Sequence, residues 1–210
     1  MVLALLAACG GGNHPGWLSD ARVVVDGVHA VASDCRTQIC VHNENTDLTV
    51  FDGATYLVHR TATSQILGPN SSLRVLRSTD HGNHWRLLAV IPAPEGRDLR
   101  DPSFYQIDGK LAIKALTRRQ VISLRDSDVD TIAVAGVSSD AGRTWSPLAP
   151  IGPERWSFWR IRDDARGVHY TAAYEDGDRS VQLFSSRDGT QWADVSRIYG
   201  RAEDTPLETE

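Results

Sequence analysis

Basic residues never cluster in this chain: its 22 Lys and Arg are scattered among 27 Asp and Glu, for a formal net charge of -5. With no Lys/Arg block to track a phosphate backbone, nucleic acid is not an expected partner. There is no G-x-S-x-G nucleophile turn, and His42, His59, His81, His84 and His169 have no metal-ligand spacing on a common element, so neither a metal nor a cofactor is expected. Gly10 to Gly12 precede no strand-loop-helix unit, which makes them a tether rather than a phosphate loop. Cysteine is scarce, with three in all, and the apolar run Met1 to Ala8 is too short to span a bilayer. At 210 residues, 41% of them hydrophobic and 23% charged, the chain can still bury a sizeable core.

The N-terminal run ends in Leu6-Ala7-Ala8-Cys9, followed by turn-rich Gly10-Gly11-Gly12-Asn13. It resembles a bacterial lipoprotein signal, although no Lys or Arg precedes the apolar residues. The resemblance implies that Cys9 is lipidated, that residues 1–9 are signal and 10–20 tether, and that 21–210 form the folded part, exported and held in the bacterial cell envelope by its lipid alone. Cys35 and Cys40 would remain as an even pair in an oxidising compartment; a disulfide and two partly buried thiols both fit their spacing.

Internal repetition is the informative feature. Ser78-Thr79-Asp80-His81-Gly82-Asn83-His84-Trp85 and Ser138-Ser139-Asp140-Ala141-Gly142-Arg143-Thr144-Trp145 both read S-x-D-x-G-x-x-W. Ser186-Arg187-Asp188-Gly189-Thr190-Gln191-Trp192 is the same element one residue shorter. Each follows an alternating, strand-like run and precedes another short one, so each is a hairpin turn. Ser and Asp satisfy exposed backbone groups, Gly takes the positive φ, and Trp packs over the turn. Earlier in each unit, Asp52-Gly53, Asp108-Gly109 and Arg166-Gly167 mark a second turn, their glycines 56 and 58 residues apart. Four antiparallel strands per unit make one propeller blade. The pattern restarts at Glu203-Asp204-Thr205-Pro206-Leu207, which echoes Glu44-Asn45-Thr46-Asp47-Leu48. Ala21 to Ile39 has strand character without a repeat partner.

Because antiparallel strands alternate direction, both repeated turns fall on one side of the sheets. The opposite side gathers the starts of the innermost strands: Glu44, Asn45 and Asp47; Arg97, Arg100 and Asp101; Trp159 and Arg160; Glu203 and Asp204. The ends of the second strands add Arg60, Arg118, Arg119, Tyr174 and Glu175. Arginines and carboxylates around a concave axis suit an anionic sugar. Candidate acid/base residues are Asp101 and Glu203; candidate ligand-contacting residues are Glu44, Arg60, Arg100, Trp159 and Arg160. Solvated strand ends are also charged without function, and Trp159 fits a sugar-stacking platform or a core position between blades equally.

The three S-x-D-x-G turns resemble the Asp boxes, or BNR repeats, of the sialidase (neuraminidase) superfamily. That resemblance covers about Cys40 to Glu210 and implies an all-β propeller of which about three of six blades lie in this chain. It also implies an active site on the axis opposite the Asp boxes. There, three arginines would grip a sialic acid carboxylate, an Asp would act as acid/base, and a Tyr activated by a Glu would be the nucleophile. The F-R-I-P signature of that family is absent; Trp159-Arg160-Ile161-Arg162 is a loose echo, and the Tyr would belong to a later blade. Arg100-Asp101-Pro102 is similar to the first-strand motif of five-bladed arabinanase-like glycosidases. Two functions follow as expectations: an exo-acting glycoside hydrolase of sialidase type, or a non-catalytic surface propeller binding glycan or protein.

Overall fold

A computed structural model of the chain describes residues 24, 25, 27, 30–120, 129–175 and 180–201. Cys9, Glu203 and the anchor segment lie outside them. The described residues form twelve strands and no helix, in three four-stranded antiparallel sheets. The first sheet holds β1 (His42–Phe51), β2 (Ala54–Ala62), β3 (Ser72–Ser78) and β4 (Arg86–Pro92). The second holds β5 (Asp98–Ile107), β6 (Lys110–Gln120), β7 (Val129–Ser138) and the two-residue β8 (Ala149–Pro150). The third holds β9 (Trp156–Asp163), β10 (His169–Glu175), β11 (Ser180–Ser186) and β12 (Ala193–Gly200). Neighbours in each sheet are neighbours in sequence, the order of an up-and-down meander.

The innermost strands pack on one another, β1 on β5 and β5 on β9, so the sheets fan out as adjacent propeller blades do. Two cores fill the wedges between them. Tyr56, Val58, Leu73 and Val75 of the first sheet meet Leu99, Phe104, Leu111 and Ile113 of the second. Tyr105, Ile107, Ala112 and Leu116, from the opposite face of the second sheet, meet Phe158, Ile161, Ala173 and Phe184 of the third. The middle sheet is thus covered on both faces, which is why Leu111 to Leu116 is nearly unbroken apolar sequence rather than alternating.

The turns explain the repeat. Asp52 and Gly53 have φ of 46° and 67°, and Asp108 and Gly109 have 48° and 70°, the double positive φ of a two-residue hairpin. The third hairpin turn is built differently: Asp164 Oδ1 accepts from the Arg166 and Val168 amides. At the second repeated turn, the Ser138 hydroxyl accepts the Gly142 amide and pairs with Asp140 Oδ1, which also accepts the Thr144 amide. Ser78, Asp80, Gly82 and His84 repeat that arrangement. In the shorter turn Asp188 Oδ1 accepts from Thr190 and Gln191 instead. The Trp145 and Trp192 indoles donate to the carbonyls of Gly142 and Gly189, closing the turns from above.

The segment before β1 departs from expectation. Ala30 to Ile39 contains no strand and is a turn-rich loop, tied by a Cys35–Cys40 disulfide with Cα atoms 5.6 Å apart. It docks on the first sheet: the Cys40 amide donates to Thr61 Oγ1, and Ser72 Oγ donates to the Cys35 carbonyl. A strand reading fails here because these partners are side chains, not an open ladder.

Candidate functional site

Each innermost strand carries one extra residue near its start. The register slips between Glu44 and Thr46 on β1, between Arg100 and Ser103 on β5, and between Phe158 and Ile161 on β9. These are β-bulges at equivalent places in three sheets, and a bulge re-aims the side chains beside it. Two of the bulged residues, Asn45 and Asp101, hold positive φ of 51° and 49° without being glycine. Of the residues read from sequence at the strand starts, Glu44, Asn45, Asp47, Arg100, Asp101, Trp159 and Arg160 lie inside the strands, at or beside the irregularities, and Arg97 just precedes β5.

The three bulges border one cleft of about 190 Å³, lined by Asn45, Thr46, Asp101, Pro102, Ser103, Lys114, Trp159 and Arg160. It lies at the end of the sheets opposite the Ser-Asp-Gly turns, because β1 starts at the cleft and finishes at the Asp52-Gly53 turn, and β3, two strands over, runs the same way. A cleft this small, below the ~300–1,000 Å³ of drug-sized pockets, suits one ring of a ligand rather than several.

Its charges are arranged differently from the expected ring of open arginines. Arg60 is fully buried and borders no part of the cleft. Its guanidinium forks onto Asp98 at 3.0 and 2.8 Å, pairs with Glu44, and donates to the Ser64 carbonyl. Arg60 and Glu44 thus join strand starts to each other, and neither lines the cleft; burial of Asp98 beside β2 demands a cation, and Arg60 supplies it. Arg100 donates to Asp101 Oδ2 at 3.2 Å and to the Ile66 carbonyl at 2.8 Å, and it too stands outside the cleft lining. Arg160 of β9 does line the cleft, paired with Asp47 Oδ1 of β1 and so joining the third sheet to the first, while Asp47 Oδ2 accepts the Phe104 amide. Trp159 is half-buried and lines the cleft, its ring near Tyr174 with centroids 6.3 Å apart.

Sequence reading missed Lys114. It is 1% exposed, yet its ammonium sits at the cleft wall, donating to the carbonyls of Asp101 at 3.0 Å and Phe158 at 2.8 Å, with the Trp159 ring 5.8 Å away. Burial pushes its pKa down to about 8, against the upward pull of Asp101 and Asp47 and with a further push down from Arg160. The available signal was a lysine interrupting the apolar run Leu111-Ala112-Ile113-Lys114-Ala115-Leu116 of a doubly covered strand. Two further polar atoms at the cleft, Ser103 Oγ and Asn45 Oδ1, are buried without a hydrogen-bond partner. Among the described residues no group of three or more His, Cys, Asp or Glu could hold a metal ion.

No family model matches the chain, and no curated protein matches it. Solved structures do. A Hadza microbial sialidase superposes with a TM-score of 0.60 at 17% identity, over 76% of this chain and 38% of that one. A mutant Trypanosoma rangeli sialidase with trans-sialidase activity gives 0.59 at 17%, over 77% and 32%. The Penicillium chrysogenum α-L-arabinanase complexed with arabinobiose gives 0.58 at 16%, over 82% and 53%. At these identities the likeness is one of fold, shared with glycoside hydrolases of several specificities, and the chain spans between about a third and about half of the length of these neighbours.

Proposed function

We propose that this chain belongs to a sialidase-like, Asp-box propeller of about six blades that takes the terminal residue of a glycan, an acidic sugar foremost, into the bulge-lined cleft and hydrolyses its glycosidic bond. The observation that carries the reading is the convergence of three equivalent bulges on one small, polar, Trp-edged cleft, on the face away from the Ser-Asp-Gly turns. A sugar ring needs interleaved donors and acceptors and an apolar face to lie against; Arg160, Lys114, Asn45, Ser103, Asp101 and Trp159 offer them.

Asp101 is the acid/base candidate. Of the two carboxylates nearest the cleft, Asp47 has both oxygens engaged, by Arg160 and by the Phe104 amide. Asp101 engages Oδ2 with Arg100 and lines the cleft, so Oδ1 can take or give a proton at a glycosidic oxygen. Two-carboxylate hydrolysis needs a second acidic group or another nucleophile, which Glu203 or a further blade would supply. That the described cleft offers a single carboxylate, with one of its oxygens already on Arg100, is also the observation favouring the second reading, a propeller that binds glycan without cleaving it.

The test uses the complete protein and a panel of chromogenic acidic and neutral glycosides, with calorimetry of the free sugars. Wild type should cleave an acidic glycoside, and Asp101→Asn should lower kcat by roughly 10²–10⁴ while leaving sugar affinity within a few-fold, as loss of an acid/base group does. Binding without turnover selects the second reading. A protein that binds no sugar overturns both.

A further inference from the structure

Every other cation at or beside the cleft is answered by a carboxylate: Arg60 by Asp98 and Glu44, Arg100 by Asp101, Arg160 by Asp47. Lys114 is not. Its two hydrogen-bond partners are neutral backbone carbonyls, one from the β5 bulge and one from the residue preceding the β9 bulge. An ammonium has three donors, and the third has no partner among the described residues. Beside it stands Ser103, its cross-strand neighbour, 2% exposed with an unpartnered hydroxyl.

We infer that Lys114 and Ser103 form the receptor for the negatively charged group of the ligand, and that Lys114, rather than Arg100 or Arg160, sets any preference for an acidic sugar. The inference rests on the carbohydrate reading and names the group that would confer its specificity. A carboxylate placed at the cleft floor satisfies the third ammonium donor and accepts from the Ser103 hydroxyl. Arg160 cannot do this without giving up Asp47, and leaving that carboxylate unpaired would offset the gain. Lys114 also clamps the bulges of two sheets, so it is a positioning residue as well as a binding one.

The two roles separate by pH. The charged groups facing Lys114 are Asp101 on β5, Asp47 on β1 and Arg160 on β9, with Tyr174 of β10 behind the Trp159 ring. The Lys114 ammonium, with its pKa pushed down to about 8 by burial, loses its proton between pH 6.5 and 9.5.

The experiment is calorimetric titration of the complete protein with sialic acid and with its methyl ester, which differ in that one charge. At pH 6.5 wild type should prefer the acid by roughly ten- to a hundredfold, the span of a hydrogen bond to a charged group. At pH 9.5 the preference should collapse to within a few-fold. Lys114→Met should abolish it at pH 6.5 while still binding the ester, and Arg160→Lys should retain it. An acid preference that is constant from pH 6.5 to 9.5 in wild type overturns the inference even if Lys114→Met does not fold, as does a preference that survives Lys114→Met. Ester and acid bound equally at pH 6.5 overturns it while leaving the carbohydrate reading intact. Binding of neither removes the carbohydrate reading and this inference together.

Discussion

Arg60 illustrates how one residue type serves opposite ends. In the sequence it sits among arginines at strand ends and invites a ligand-binding reading; in the fold it is 0% exposed, with Asp98 at 1% and Glu44 closing the other side. Replacing it with an apolar side chain leaves Asp98 buried and uncompensated. Arg60→Met should therefore lower unfolding free energy by about 3–5 kcal/mol, read from the urea midpoint at constant m. Adding Asp98→Leu should recover a large part of that loss, because removing both partners removes the orphaned charge. Additive losses in the double variant would show that the pair is not the coupled unit its geometry describes. The same contrast explains why the site was half legible. Residue identities at the strand starts were readable, since charge recurs there in every unit. Which charges pair inward and which face the cleft depends on bulge geometry, which composition does not encode. Lys114 stood out in sequence only as a break in an apolar run, and its role did not, because the cleft it lines is bordered by three other strands.

At the scale of the element, the repeated turn does two jobs. It satisfies its own backbone, and it latches to the preceding sheet: the Tyr56 hydroxyl donates to the Ala141 carbonyl, and the Tyr105 hydroxyl to that of Gly189. The latch leaves no room at the glycine. A Cβ on Gly189 would lie 2.6 Å from Ile107, whereas one on Gly53 would meet nothing, although the two have φ of 71° and 67°. Gly53→Ala should therefore cost about 1–2 kcal/mol of left-handed strain, and Gly189→Ala a further 1–3 kcal/mol of overpacking, compared by thermal or urea unfolding. Equal losses would deny the contact between sheets.

The turns also predict an acid limb. The Thr144 amide and hydroxyl, with Ser138, hold the Asp140 carboxyl down to about 2; the Gln191 and Thr190 amides hold Asp188 down to about 2; His84 lowers Asp80. A carboxyl depressed in the folded state binds fewer protons there than in the unfolded chain. Its contribution is complete above the unfolded value of about 3.9 and is lost as pH falls through about 2. The urea midpoint should decline from pH 4 to pH 2, and Asp140→Asn should flatten that decline while lowering stability at pH 7. These turns, with their fixed Ser, Asp, Gly and Trp positions, were the most legible part of the fold, because each residue type has a local backbone reason to be there. The loop from Ala30 to Ile39 was misread as strand, since its β-branched residues carry strand propensity while a disulfide and side-chain hydrogen bonds decide its path.

At the scale of the whole molecule, three sheets form an arc whose first sheet turns Leu48 and Val50 outward, 57% and 64% exposed, on the face away from the second sheet. Apolar side chains exposed on a sheet face suit a further packed layer against them. Where such a propeller works is a separate matter, and we propose that it is exported and held to the envelope through a lipid on Cys9. The support is chemical: Cys35 and Cys40 are joined and fully buried, a state that persists in oxidising compartments, and Leu6-Ala7-Ala8-Cys9 has the composition of a lipidation signal. One lipid chain gives only marginal, reversible membrane binding, so stable anchoring requires the multiple acyl chains that a lipoprotein cysteine carries. The measurement is detergent phase partitioning of the full-length protein expressed with its own N-terminus in a bacterial host, beside Cys9→Ser, with thiol alkylation of both under denaturing, non-reducing conditions. Wild type should enter the detergent phase and Cys9→Ser the aqueous phase. Wild type should expose no alkylatable thiol, because Cys9 carries lipid and the other two are paired. Equal partitioning of the two proteins would remove the anchor, and three alkylatable thiols in wild type would remove export with it.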